Sequence, residues 1–372
     1  MGAFFIWANF YGSYYRIQKW GIGGGTKNKN TKRYEKCFPY WEKHIILKIV
    51  KKLTNTEDTM KDYIIGIDIG GTSVKLGLFT IEGELVHKWE VVTDKSNNGS
   101  NILNDICKSV KETLEEQQIP IDNVQGAGMG IPGPARSDGY VETCPNLGWR
   151  NCNPAKELSE LLQIPVFVGN DANVAALGEL WKGGGKGADT MVLITLGTGV
   201  GSGIIMNGEI VAGNRGLSGE LGHVTVNIEE KEACNCNNYG CLEQYASATG
   251  IVRVANRMLN ASQKPSKLRE FDTLTAKDIF DCAKEYDEVA MEAVEKLGEY
   301  LGRTMASVTF TIDPDVFVIG GGVSKAGEIL LNVIKKYYKR YVCLSSQMGE
   351  VRLATLGNDA GIYGAAKMAL GK

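Results

Sequence analysis

His223, Cys234, Cys236 and Cys241 lie in one short stretch, GNRGLSGELGHVTVNIEEKEACNCNNYGCLEQYAS from Gly213 to Ser247, with carboxylates at Glu220 and Glu243 on either side. Three thiols and an imidazole complete a tetrahedral zinc set, and a set with no position open for water is structural rather than catalytic. Such a metal holds a shape. Glu220 and Glu243 each stand a few residues from a ligand, so two flexible acidic side chains arrive at one place with fixed direction, and that place reads as a substrate pocket. A disulfide fragment is the competing reading of three close cysteines. The other six (Cys37, Cys107, Cys144, Cys152, Cys282, Cys343) are scattered and the total is odd, which suits a reducing compartment.

The spacing Cys-x-Cys-x-x-x-Gly-Cys-x-Glu, following Gly-Glu-x-Gly-His, resembles the ROK family of bacterial sugar kinases and the sugar-responsive repressors related to them. Asn237 stands where that family usually has glycine. It is not a ligand, and asparagine tolerates positive φ better than most residues, so a small cost is expected.

Further segments resemble the wider actin-like ATPase and sugar kinase superfamily. Asp68-Ile69-Gly70-Gly71-Thr72 is similar to its first phosphate loop, and Thr195-Leu196-Gly197-Thr198-Gly199-Val200-Gly201 to its second. Glycine lets backbone N–H groups approach phosphate oxygens, Asp68 is placed to hold Mg²⁺ through water, and Thr198 offers a hydroxyl to the transferring group. A tight hairpin needs glycine for conformational reasons too, so one such loop alone is a weak signal and the pair a stronger one. Gly320-Gly321-Gly322 resembles the adenosine loop, and Asn358-Asp359-Ala360-Gly361 the second connecting segment at the interdomain hinge.

Asp171 is the catalytic candidate. A sugar hydroxyl is too weak an acid to ionise at neutral pH, so phosphoryl transfer to it needs a carboxylate to take the proton. Asp171 follows an apolar strand pattern and opens a helix, which puts it at the carboxyl end of a strand, where α/β sites gather. On the family pattern Gly133, Asn170, Asp171, Glu220, His223 and Glu243 surround the hexose. His223 then serves twice, one ring nitrogen on zinc and the other donating to a sugar hydroxyl.

The elements that must carry these groups are legible from Asp62 onward. Strands are predicted at Tyr63–Asp68, Ser73–Thr80, Glu84–Val91, Gln125–Ile131, Pro165–Gly169 and Val316–Ile319, with a second hairpin over Thr190–Met206. Helices are predicted at Ile102–Gln118, from Asn170, over 276–311, at Ser324–Tyr341 and from Asn358. An opening antiparallel meander argues against a Rossmann dinucleotide fold, and no Gly-x4-Gly-Lys-Ser/Thr match occurs. The resemblance implies an α/β fold of two ribonuclease-H-like domains with a cleft between them. The expected division is an N-terminal small domain, 60–172, completed by a C-terminal helix, 358–372, and a C-terminal large domain, 173–357, holding the zinc segment.

Residues 1–59 differ from the rest: aromatics from Phe4 to Trp20, a glycine run Gly23–Gly25, then the basic stretch Thr26–Lys36. A peripheral membrane-surface segment, a regulatory extension and sequence not natively translated are the three readings; the last is favoured, with Met60 as a plausible start. The net charge of −2 conceals this asymmetry, since the body is distinctly acidic and ill suited to bind duplex nucleic acid.

The resemblance implies ATP- and Mg²⁺-dependent phosphorylation of a hexose 6-hydroxyl with structural Zn²⁺, glucose before N-acetylglucosamine or N-acetylmannosamine. A homodimer is expected by resemblance alone; cytoplasm is the default because no targeting or transmembrane segment is convincing, and no nucleic-acid or membrane partner is expected. A sugar-sensing repressor is the rival class. It needs a recognition helix ahead of the sugar domain, and residues 1–59 show no clear helix-turn-helix pattern.

Overall fold

The computed structural model divides the chain into two units, 1–58 and 59–372. It describes 61–371 apart from 137 and 343–347 and, in the first unit, the backbone of an antiparallel hairpin, β1 (Phe4–Tyr11) and β2 (Tyr14–Gly21). The readings of 1–59 otherwise concern positions outside the described residues.

In the second unit β3 (Tyr63–Ile69), β4 (Ser73–Thr80) and β5 (Leu85–Val92) form an antiparallel meander. After helix α1 (Ile102–Glu116), β6 (Val124–Ile131) pairs in parallel with β3. A side hairpin, β7 (Val141–Cys144) and β8 (Trp149–Cys152), and helix α2 (Pro154–Leu162) lead to β9 (Val166–Asn170), parallel to β6. The sheet order is β5-β4-β3-β6-β9. Ile64, Ile65 and Ile67 have no exposed surface, because both sheet faces are covered, and such a strand reads as a continuous apolar run.

Helix α3 (Asp171–Lys182) leads into the second sheet, which repeats this plan. Strands β10 (Met191–Leu196), β11 (Val200–Met206) and β12 (Glu209–Ile210) are antiparallel, and β13 (Val316–Gly320) and β14 (Glu350–Leu353) add in parallel, in the order β12-β11-β10-β13-β14. Helices α4 (Ala248–Ala261), α5 (Ala276–Lys284), α6 (Glu288–Ile312) and α7 (Glu328–Tyr341) precede or link these parallel strands. Helix α8 (Ala360–Ala369) lies on the first sheet, where a Cβ at Gly66 or Gly128 would overlap the Ile362 or Ala365 carbonyl. It also crosses α3 backbone to backbone. A Cβ at Gly364 would overlap the Val174 carbonyl, and one at Gly178 the Ala360 carbonyl.

Three sequence expectations need correction. The helical pattern over 276–311 is two helices, broken where Tyr286 takes φ +62° and Asp287 caps α6 by accepting from Ala290 N at 2.9 Å. The helix expected from Ser324 starts at Glu328, because Gly327 at φ +74° separates it from the 3-10 turn Gly322–Ala326. The last helix starts at Ala360, after a 3-10 turn at Gly357–Asp359, and ends at Ala369.

Candidate active site

Asn170 ends β9 in an extended conformation, and its Oδ1 accepts from Ala172 N at 3.0 Å and Asn173 N at 3.2 Å, which starts α3. Its Nδ2 donates to the Gly133 carbonyl at 3.4 Å. The turn carrying Gly133 is backed by the side hairpin, from which the Cys144 thiol donates to Pro132 O at 3.5 Å. One amide thus joins the helix start to the loop after β6.

Asp171 is the first residue of α3, its Oδ1 accepting from Ala172 N at 2.8 Å. Burial pushes its carboxyl up to about 6, with Asp68 and Glu220 adding to the rise and the Ala172 N–H and the Asn170 amide opposing it. A carboxyl held near neutrality is suited to taking a proton from a weakly acidic hydroxyl.

Asp68 stands on β3 directly opposite Lys75 on β4. Burial raises the Asp68 carboxyl and the Lys75 ammonium opposes that rise. Asp68, Lys75, Asp171, Thr195 and Gly320–Gly322 share a cavity of about 650 Å³. The glycines of the β3–β4 turn, of the β10–β11 turn and after β13 are of two kinds. Gly70 belongs to the β3–β4 turn, where its N–H donates to Ser73 O at 2.9 Å, and a Cβ at Gly199 would overlap Glu243 Oε2. For these, backbone geometry or packing accounts for glycine. A Cβ at Gly71, Gly197 or Gly322 would have no neighbour closer than 4 Å, and none of the three has positive φ. Space kept open there suits the approach of phosphate or ribose to backbone N–H groups.

The candidate metal donors come together in a separate segment. The donor atoms of His223, Cys234, Cys236 and Cys241 all lie within 4.8 Å of one another. The Cys236 and Cys241 sulfurs are 3.6 Å apart, close to the ~3.8 Å edge expected of a tetrahedron with Zn–S bonds of ~2.3 Å. These donors fit a structural zinc ion. Asn237 sits at φ +65°, in the left-handed region that asparagine tolerates.

Glu220 is flanked by one hydroxyl. Ser202 Oγ donates to Gly219 O and accepts from Leu221 N at 3.1 Å, so β11 fixes the residues on both sides of the carboxylate. Glu220 Oε2 and His223 Nε2 are 4.0 Å apart. Glu243 reaches from beyond Cys241 to the β10–β11 hairpin, with Oε2 accepting from Val200 N at 3.1 Å and Oε1 3.6 Å from the Cys234 thiol. Beneath the segment, the Arg257 guanidinium holds Glu230, whose side chain is 2% exposed, far below the usual carboxylate range, with Tyr245 and Arg253 assisting.

Asp68, Asp171 and Gly320–Gly322 thus line one cavity, and Asn170 is tied to Gly133. Glu220 lies close enough to Asp171 to raise its proton affinity. Gly70–Thr72 and Gly197–Gly199 are the turns of the β3–β4 and β10–β11 hairpins, with Thr72 O accepting from Thr93 N and Thr198 O from Thr249 Oγ1. Sequence reasoning missed Lys75 and Ser202. For Lys75 the strand register was the available signal, since pairing Tyr63 with Thr80 sets it opposite Asp68.

The model of the ROK family matches residues 64–372. A glucokinase of Halalkalibacterium halodurans is 43% identical over 307 residues, 81% of this chain and 93% of that protein. A glucokinase of Thermotoga maritima is 34% identical over 312 residues, 82% and 96% of the two chains. In structure the chain is similar to a ROK family glucokinase from Streptomyces griseus in complex with glucose and AMPPNP, with a TM-score of 0.64 and 33% identity, covering 82% of this chain and 98% of that one. A family match running from within β3 to the C-terminal residue, together with 43% identity over most of its length, makes this chain a member of the ROK family.

Proposed function

We propose that the chain transfers the γ-phosphoryl group of ATP to the 6-hydroxyl of glucose, with Asp171 as general base. The observation that carries this reading is the placement of Asp171: a carboxyl pushed up to about 6, at a strand-to-helix junction, sharing a cavity with Asp68 of the first sheet and the Gly320–Gly322 turn that follows β13 of the second. The names of the relatives point to glucose as the acceptor.

In this mechanism Asn170, Glu220, His223 and Glu243, with Gly133 nearby, hold the hexose and direct its 6-hydroxyl at Asp171. As the sugar oxygen bonds to the γ-phosphorus, the bond from that phosphorus to the ADP oxygen breaks and the hydroxyl proton passes to Asp171. The turns Gly70–Thr72 and Gly197–Gly199 face the phosphates, with open backbone at Gly71 and a hydroxyl at Thr198, while the Gly70 and Gly197 N–H groups are used within the turns. Asp68 would hold the nucleotide's Mg²⁺, which would offset phosphate charge, and Gly320–Gly322 face the adenosine. His223, Cys234, Cys236 and Cys241 would hold Zn²⁺, which supplies no chemistry beyond fixing the direction of Glu220, His223 and Glu243.

We assign 60–172 with 358–372 to the smaller lobe and 173–357 to the larger; the seating of α8 on Gly66 and Gly128 supports this division. A homodimer is expected by resemblance, with the cytoplasm as the default location. Among the described residues no helix is long and apolar enough to cross a membrane.

The test is ADP release by the full chain with glucose, mannose, fructose, N-acetylglucosamine and N-acetylmannosamine offered separately, and Asp171→Asn as control. A preference for glucose that disappears in the variant is expected. Turnover with an amino sugar alone would keep the mechanism and change the substrate. Sugar binding without any turnover would overturn the kinase reading in favour of a sensor.

A further inference from the structure

Glu179 lies eight residues after Asp171 on α3, about 12 Å along the axis at 1.5 Å per residue. It is 1% exposed, yet it belongs to the wall of the cavity that Asp171 opens into. A buried carboxylate is costly unless strong donors meet it. Here the donors are all backbone: Oε2 accepts from Gly184 N at 2.8 Å and from Thr355 N at 3.1 Å, and Oε1 from Leu356 N at 2.9 Å. Gly183 permits the approach, since a Cβ there would overlap Glu179 Oε2.

Two of these donors belong to the loop between β14 and α8, whose Ala354, Thr355, Gly357 and Asn358 line the same cavity opposite Asp171. That loop has few other anchors. Ala354 N donates to Ile319 O at 2.9 Å, and Lys75 Nζ reaches Asn358 O at 3.4 Å from the other sheet. We propose that Glu179 is a positioning residue for the nucleotide. It ties the 354–358 wall to the helix that begins with Asp171, so that the length of one rigid helix sets the separation between the nucleotide's wall and the base. The inference rests on the ATP-dependent kinase reading.

The experiment compares the full wild-type chain with Glu179→Gln. Whichever way the amide turns, its NH₂ replaces an acceptor and faces at least one backbone N–H of the wall. Losing one such bond is expected to raise the KM for ATP, and the dissociation constant for ADP by calorimetric titration, by about fivefold or more. The KM for sugar should change less than about twofold and kcat less than about threefold, because neither the sugar segment nor Asp171 is touched. A purely structural role would lower the folded fraction, and hence apparent kcat, at constant ATP KM; that result overturns the proposal, as does an equal rise in both KM values. Should Glu179→Gln not fold, Leu356→Pro removes one wall N–H without altering α3, and Leu356 at φ −80° accepts a proline. Its ATP KM should rise about twofold or more with the sugar KM flat, and an unchanged ATP KM overturns the assignment. Absence of ATP-dependent turnover by the wild type overturns the kinase reading and this inference together. Wild-type turnover with unchanged ATP KM in the variants overturns the Glu179 assignment alone.

Discussion

Glu243 Oε2 accepts a hydrogen bond from the backbone N–H of Val200 at 3.1 Å. The carboxylate just beyond the last thiol of the zinc set is thereby seated on the hairpin turn that follows Thr195. One contact joins the segment carrying the candidate metal donors to the β10–β11 hairpin, and a Cβ at Gly199 would overlap its acceptor.

Glu243→Ala removes that acceptor and leaves the Val200 N–H without its partner. The expected result is a rise of about tenfold or more in the KM for glucose together with a loss of kcat, since both segments are displaced. Steady-state kinetics read this directly, and a variant whose two constants both match wild type would dismiss Glu243 from the site.

The raised carboxyl of Asp171 makes two pH predictions. As a base it acts deprotonated, so kcat/KM should fall with unit slope as pH drops below about 6. Stability runs the other way. The folded value lies above the unfolded 3.8, so the group's contribution is fully present below pH 3.8 and is lost as pH rises through about 6. Asp171→Asn should therefore melt higher than wild type at pH 8, by about 2 kcal/mol of stability, and show little of that advantage at pH 4. Melting curves at both pH values test this, and a gap that does not widen with pH would sink it.

Metal content provides a third test. The donor geometry predicts about one zinc per chain by atomic absorption. Chelation, or Cys236→Ser, should raise the sugar KM more than the ATP KM and lower Tm, because the segment bearing Glu220, His223 and Glu243 loses its brace. Protein that is fully active with no bound zinc would remove the metal from the account.

Gly364→Ala tests the crossing of α3 and α8. The added methyl meets the Val174 carbonyl, and overpacking of this kind costs about 2 kcal/mol. Lower Tm with reduced kcat is expected, and a variant indistinguishable from wild type in both would show that the two helices are not held in this contact.

Strands buried on both faces, such as β3 and β6, were legible because apolar residues and glycine run through them almost unbroken, with Asp68 and Gln125 as the polar exceptions near their ends. The side hairpin β7–β8 was not, since Val141–Cys144 buries its two ends and exposes Glu142 and Thr143 between them, which is neither an apolar run nor an alternation. Strand β14 buries Val351 alone, and the break at Tyr286 has no glycine or proline to announce it. At the site, Asn170 and Asp171 could be read because a strand pattern passes abruptly into a helix there. Glu179 could not. A glutamate in a helix is ordinarily solvated, and the three N–H groups that bury this one come from Gly184 and from a loop far along the chain.

The glycine crossing of α3 and α8 brings the two helices together without side chains. With no side chain between the two backbones at Gly178 and Gly364, rotation there requires no rotamer change, and intermediate angles lose no interdigitated packing. The distance between the two helices is therefore a property of main chain alone, and a single added carbon at either glycine is enough to change it.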